Sequence, residues 1–148
     1  MNEKIPRIFI VTGAPGVGKT AVSALLASKL GAVHVDVGQL VVKEQLVAGK
    51  DAARGTLIAD AEKVSNSVMK IVTETKGDAV LDGHYAVDVV PPENVLRVFV
   101  LRRSPEELKP ILEARGWRGM KLWENLACEV LDVCLINALN ACGENKVC

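Results

Sequence analysis

Gly13-Ala14-Pro15-Gly16-Val17-Gly18-Lys19-Thr20 is the stretch whose reading decides the fold. It fits the pattern G-x-x-x-x-G-K-[ST] once in the chain, and its flanks are those the pattern needs. Before it, Ile8-Phe9-Ile10-Val11 is a short apolar run, which predicts a buried strand of a parallel sheet. After it, residues 20–30 predict a helix that Gly31 stops. Glycines at such a turn let backbone N–H groups converge on an anion, and the helix N-terminus adds positive field. Lys19 is placed for β- and γ-phosphates, and the Thr20 hydroxyl for Mg²⁺. A dinucleotide loop needs G-x-G-x-x-G, and the spacing of Gly13, Gly16 and Gly18 does not supply it.

Outward from the loop, strands and helices alternate. Val33, Val35 and Val37 alternate with His34 and Asp36, which predicts a second strand. Residues 39–48 read as a helix ending near Gly49, residues 50–56 as a mobile connection, and residues 57–73 as a longer helix on Val64, Val68 and Ile71. Ala79-Val80-Leu81 is a third strand, ending at Asp82; Pro91-Pro92 forbids regular helix, and residues 95–101 form a fourth strand. Ser104-Pro105-Glu106-Glu107 is a capping box opening a helix to Ala114. Residues 116–119 interrupt, and one last helix fills residues 122–141. The expected architecture is a three-layer α/β domain with a central parallel sheet, its strands near residues 7–12, 33–37, 78–82 and 95–101, and the first of them central.

Composition narrows the partners. The 148 residues suit one domain, and 18 basic against 18 acidic residues leave no net charge for a non-specific grip on nucleic acid. Aromatic residues are 3%, too few for a base-stacking platform. No apolar run is long enough to span a membrane, and the start, Met1-Asn2-Glu3-Lys4, does not fit a signal peptide, so a cytoplasmic location is expected. Cys128, Cys134, Cys142 and Cys148 lack the spacing of a zinc site and are expected as buried or half-buried thiols on a C-terminal helix.

Three further features carry chemistry. Asp82 follows an apolar strand, at the sheet end where α/β proteins place ligands, and can hold Mg²⁺. His84 is the histidine expected to act, by orienting water or touching that carboxylate; His34 reads as an ordinary strand residue. Residues 102–121 carry six bases (Arg102, Arg103, Lys109, Arg115, Arg118, Lys121) against three acids, and the glycine-hinged piece from Arg115 can fold over phosphates. No Asn-Lys-x-Asp segment is present, which argues against a GTPase. A small phosphate-loop kinase needs an acceptor segment and a basic lid; residues 36–59 and 115–124 stand in those places. A shikimate- or gluconate-type kinase wants an arginine-rich acceptor segment, yet residues 36–59 hold only Arg54.

The loop, Val37-Gly38-Gln39-Leu40 with Lys43-Glu44, Leu81-Asp82-Gly83-His84-Tyr85, Arg115-Gly116-Trp117 and Lys121-Leu122-Trp123-Glu124-Asn125 together resemble adenylate kinase isoenzyme 6, in its archaeal form. The resemblance implies a phosphate-loop NTPase fold of nucleoside monophosphate kinase type. It implies ATP + AMP ⇌ 2 ADP with breadth towards other monophosphates, Mg²⁺ as cofactor, slow ATPase activity, and a part in small ribosomal subunit maturation through a platform ribosomal protein. An ATP-driven assembly factor with incidental kinase activity is the alternative. The family pattern puts the triphosphate on Gly13, Gly16, Val17, Gly18, Lys19, Thr20 and Ala21, with Arg115 reaching it from the lid. Lys19, Asp82, His84 and Arg115 would be catalytic, and Thr20 and Asp82 would serve the metal. Gly38 and Lys43 would lie at the monophosphate, and Arg102 is expected to point into the same crevice from its strand end. The chain departs from the family at Ala21, Gln39 and Val42, and it stops where a further strand and helix would continue, so a truncated last strand is expected. A monomer is expected, with no sequence-specific nucleic-acid partner.

Overall fold

The computed structural model describes residues 5–53 and 55–148. The chain runs β1 (Ile8–Thr12), α1 (Lys19–Leu30), β2 (Val33–Asp36), α2 (Val37–Lys43), β3 (Val47–Asp51), β4 (Thr56–Ala59), α3 (Ala61–Thr75), β5 (Ala79–Asp82), a short α4 (Ala86–Val89), β6 (Val95–Val100), α5 (Pro105–Ala114), α6 (Gly119–Val130) and α7 (Val133–Cys142). The main sheet has the order β2-β5-β1-β6, every pairing parallel. The loop strand is therefore internal, and every residue of β1 and β5 is buried. After β1 the chain crosses to β2 and returns through β5 and β6, which flank β1 on either side. The phosphate loop leaves the sheet where the two crossovers part, the place open α/β sheets offer to ligands.

Alternation along the strands makes two interiors. Ile8 and Ile10 face Val35, Leu81 and Val98, under the Val64, Val68 and Val72 stripe of α3 and Ala138 of α7. Phe9, Val11 and Val80 face α1. A third cluster joins Ala14 and Val17 of the loop to Leu108 and Leu112 of α5 and Leu122 and Leu126 of α6. The α/β sandwich with its central parallel sheet thus follows from the period-2 and period-3.6 patterns in the chain. Asp36, Asp60 and Ser104 cap α2, α3 and α5, accepting hydrogen bonds from the N–H groups of Gln39, Lys63 and Glu107.

The third cluster backs the loop. A Cβ on Gly16 would meet methyl groups of Leu108, Ile111 and Leu112 at 3.2–3.4 Å. Leu112→Ala is expected to cost about 2–5 kcal/mol, since it empties a fully buried leucine site. The urea midpoint measures this, and a loss under about 1 kcal/mol would show that the loop does not rest on α5.

Residues 39–59 differ from the sequence expectation. The expected helix over 39–48 stops at Lys43, because Gln45 takes a left-handed conformation (φ 55°) and the Leu46 N–H bonds back to the Val41 carbonyl. The expected mobile connection is the turn of an antiparallel hairpin, β3 on β4. Asp51 holds that turn, its side chain accepting from the Ala53 N–H and its carbonyl from that of Gly55. Leu57 lies in β4, so α3 begins only at Ala61. Arg54 lies outside the described residues.

The last helix is two helices, bent by 56°. Asp132 breaks it in the left-handed region (φ 56°), with no glycine or proline to signal the break. Cys128, Cys134 and Cys142 are half-buried thiols on the two helices; Cys148 is exposed. Beyond α7, Val147 bridges Val98 of β6 in parallel. Among the described residues no single helix is long and apolar enough to cross a membrane.

Candidate active site

The phosphate loop is built by steric necessity. Gly13 has φ +148°, and a Cβ there would lie 2.6 Å from the Leu101 carbonyl oxygen at the end of the neighbouring strand. Only glycine lets the chain leave β1 so close to β6. At the far end Gly18 stands at the N-cap of α1 with no side-chain cap, which leaves the first N–H groups of the helix for an anion. Lys19 folds back over the loop, its Nζ donating to the carbonyls of Gly13 and Ala14, each at 3.0 Å. Burial pulls the ammonium below the ordinary lysine range, while Cys134 and Asp82 act the other way. Arg115, the C-cap of α5, is near enough that its charge adds to the downward pull. Thr20 and Ala21 follow on the exposed first turn of α1.

Asp82 ends β5 beside the loop, 2% exposed. In the parallel register it lies opposite Asp36, the cap of α2. Burial raises its carboxyl above the usual aspartate range, with Asp36 acting in the same direction. A hydrogen bond opposes this: Nε2 of His34 sits 2.6 Å from Asp82 Oδ2. His84, the histidine expected to act, has a different place. Its carbonyl accepts from the Thr12 hydroxyl at 3.4 Å, and its ring meets Tyr85 edge-on with centroids 4.7 Å apart. Desolvation, then the charge of Lys19, hold its imidazole below the ordinary histidine range.

A cleft of about 570 Å³ opens from the loop. Pro15 and His84 mark its loop end; Val41, Thr56, Leu57 and Ala59 form one wall. Trp117, Lys121, Glu124 and Asn125 form the opposite wall, from the turn after α5 and the first turns of α6. Lys121 places its ammonium over the Trp117 ring, 4.3 Å from the centroid. The two segments expected as acceptor wall and lid therefore face each other across one cavity.

Two expected acceptor cations lie elsewhere. Arg102 does not point into the crevice: its guanidinium is paired with the carboxylates of Glu129 and Asp132, and also donates to the Glu129 carbonyl at 3.1 Å. The acids that compensate it sit at the bend between α6 and α7, a bend invisible in the sequence. Lys43 ends α2 on the face opposite Val41 and lines a separate shallow hollow with His34, Asp36 and Gln39. Gly38 is exposed on the first turn of α2, near the Asp36 carboxylate.

Sequence reasoning missed His34 as the partner of Asp82, and Thr56, Tyr85 and Asn125 as cleft residues. Part of the signal for His34 was present: it precedes Asp36 by two, so the two side chains share a strand face; the pairing of β2 with β5, which sets that face beside Asp82, comes from the structure.

The donor set suits ATP with a hard cation. The Thr20 hydroxyl and the Asp82 carboxylate are hard oxygen donors of the kind such a cation takes, one following the loop and one ending β5. Among the described residues no three His, Cys, Asp or Glu side chains gather into a metal cage. A cation here must take its remaining ligands from phosphate and water, which is how Mg²⁺ is usually held beside a nucleotide.

The family model for the AAA domain matches residues 9–132. A "Putative adenylate kinase" of Methanocaldococcus jannaschii is 38% identical over 125 residues, covering 84% of this chain and 68% of that protein. One of the same name from Methanothermobacter thermautotrophicus is 37% identical over 137 residues, covering 93% of this chain and 75% of that protein. Among solved structures, a shikimate kinase from Acinetobacter baumannii superposes with a TM-score of 0.58 at 18% identity, over 95% of this chain and 82% of that one. A gluconokinase from Sinorhizobium meliloti superposes at 0.56 with 16% identity, over 97% and 81%. At that identity the likeness is one of fold, that of phosphate-loop kinases.

Proposed function

From the premise that this chain belongs to the AAA domain family, together with the archaeal relatives just described, we propose that it is an ATP-dependent nucleoside monophosphate kinase, with AMP as its main acceptor and ADP as its product. The observation that carries this reading is the single cleft whose lining joins Pro15 of the phosphate loop to both the β3–β4 hairpin and the first turns of α6. The motif series Asp82-Gly83-His84, Arg115-Gly116-Trp117 and Glu124-Asn125 supports a place in the isoenzyme 6 branch, and with it breadth towards other monophosphates.

The reaction needs positioning and charge neutralisation more than a strong base, because the acceptor is itself a phosphate oxygen. The N–H groups around Gly16 and Gly18 and at the start of α1 hold the donor phosphates. Lys19 leaves the two loop carbonyls and follows the charge of the transferred group. Arg115, the C-cap of α5, whose charge already reaches Lys19, would cover the donor, and His84 and Tyr85 line the cleft near the loop. Thr20 and Asp82 would hold Mg²⁺, which would supply neutralisation of the phosphate charge. Lys121 is the acceptor-side cation, set among Trp117 and Asn125.

A bisubstrate probe, two adenosines joined by five phosphates, tests this arrangement by calorimetry. It is expected to bind far more tightly than ATP. Lys121→Ala is expected to weaken it about tenfold or more, the value of one charge-assisted hydrogen bond, whereas Lys43→Ala leaves it unchanged. The reverse pattern would return the acceptor phosphate to α2.

A second reading is an ATPase that serves assembly of the small ribosomal subunit, bound to a platform ribosomal protein. Its support is the exposed apolar surface beside the lid, where Met120, Trp123, Val130 and Leu131 are each more than half exposed. On that reading ATP hydrolysis proceeds without AMP.

A further inference from the structure

We propose that His34 is a positioning residue for the magnesium-side carboxylate, fixing Asp82 so that one oxygen stays directed to the metal and its waters. The proposal rests on the reading of Asp82 given above. A carboxylate accepts hydrogen bonds and has none to give, so at 2.6 Å the Nε2–H of His34 donates to Asp82 Oδ2. The contact runs diagonally across the sheet. Asp82 is level with Asp36, and His34 is level with Val80, one step back from the loop. Oδ2 is thus drawn back along the sheet, away from the loop and towards edge strand β2, and in the proposed role Oδ1 is the oxygen left for the ligand. The carboxylate is 3% exposed at its side chain, so water cannot take over the role of the histidine. His34 is itself held on edge strand β2, 24% exposed, between the buried sheet face and the hollow lined by Asp36, Gln39 and Lys43. Outer partners that orient a metal ligand usually matter at about 10–100-fold in metal affinity.

The test reads metal binding, with no AMP present. Free Mn²⁺ is followed by electron paramagnetic resonance as it is titrated into the protein with saturating ADP, and ADP affinity is measured separately in EDTA. His34→Phe is expected to weaken Mn²⁺ binding about tenfold or more, with ADP affinity in EDTA unchanged. His34→Gln, whose amide nitrogen falls near the place of Nε2, is expected to restore most of the Mn²⁺ affinity; His34→Asn, one bond shorter, is not. Wild-type Mn²⁺ affinity in His34→Phe would overturn the proposal. So would an equal loss of Mn²⁺ and metal-free ADP binding, which marks a purely structural role. Should the Phe variant not fold, equal behaviour of the Gln and Asn variants overturns it. Asp82→Asn separates the two levels of inference. If it retains Mn²⁺, the reading of Asp82 fails and the proposal with it. If it loses Mn²⁺ while His34→Phe does not, the proposal alone fails.

Discussion

Lys19→Ala is expected to lower turnover by about 10²–10³-fold, the usual cost of removing a preorganised charge from a transition state. Among the described residues its ammonium donates to two backbone carbonyls, those of Gly13 and Ala14, and makes no ion pair. Burial already holds it below the ordinary lysine range, so the fold itself is not stabilised by the charge. The thermal midpoint should therefore move by no more than about 1 kcal/mol equivalent. Turnover above about a tenth of wild type would remove Lys19 from the chemistry. A cooperative loss of the folded state would instead make it a structural residue.

Asp82→Asn is expected to separate activity from stability in the opposite direction. Activity should fall by about 10²-fold or more, because the hard anionic ligand is lost. Stability should not fall. The Asp82 carboxyl is raised above its ordinary value of 3.8, chiefly by burial, so the folded state binds this proton more tightly than the unfolded chain does. A carboxyl of that kind costs stability once pH rises through the interval from 3.8 to its folded value. In metal-free buffer at neutral pH, Asp82→Asn should melt at or above the wild-type temperature. The difference should shrink as pH falls through that interval and vanish below 3.8, where both states are protonated. A lower melting temperature for the variant across that range would show that the His34 contact outweighs burial.

The parts of this molecule that were legible in the sequence are those set by local rules. The loop, its strand and its helix stand together because each glycine answers a backbone constraint, and Ser104 announced α5 through a capping box. Residues 46–59 were misread because Leu57-Ile58-Ala59 continues smoothly into the apolar stripe of α3, and the turn chemistry of Asp51 and Gly55 looked like a simple linker. The bend at Asp132 had no local signal, since a non-glycine residue adopts the left-handed conformation there. Arg102 followed from that omission: its partners Glu129 and Asp132 are brought to it only when α6 and α7 part. His34 is the opposite case. Its contact with Asp82 needs only strand order and register, and adjacency of β2 and β5 was not readable from either segment alone.

The balance between ATP, AMP and ADP separates a monophosphate kinase from an ATPase. Purified protein is given ATP and Mg²⁺ with increasing AMP, and all three nucleotides are quantified through time. ADP formation is expected to depend on AMP and saturate with it, with two ADP formed for each AMP consumed, and the reverse reaction is expected to start from ADP alone. ADP formed at the same rate without AMP, with added AMP recovered intact, would contradict the kinase reading and leave the cleft to an ATPase.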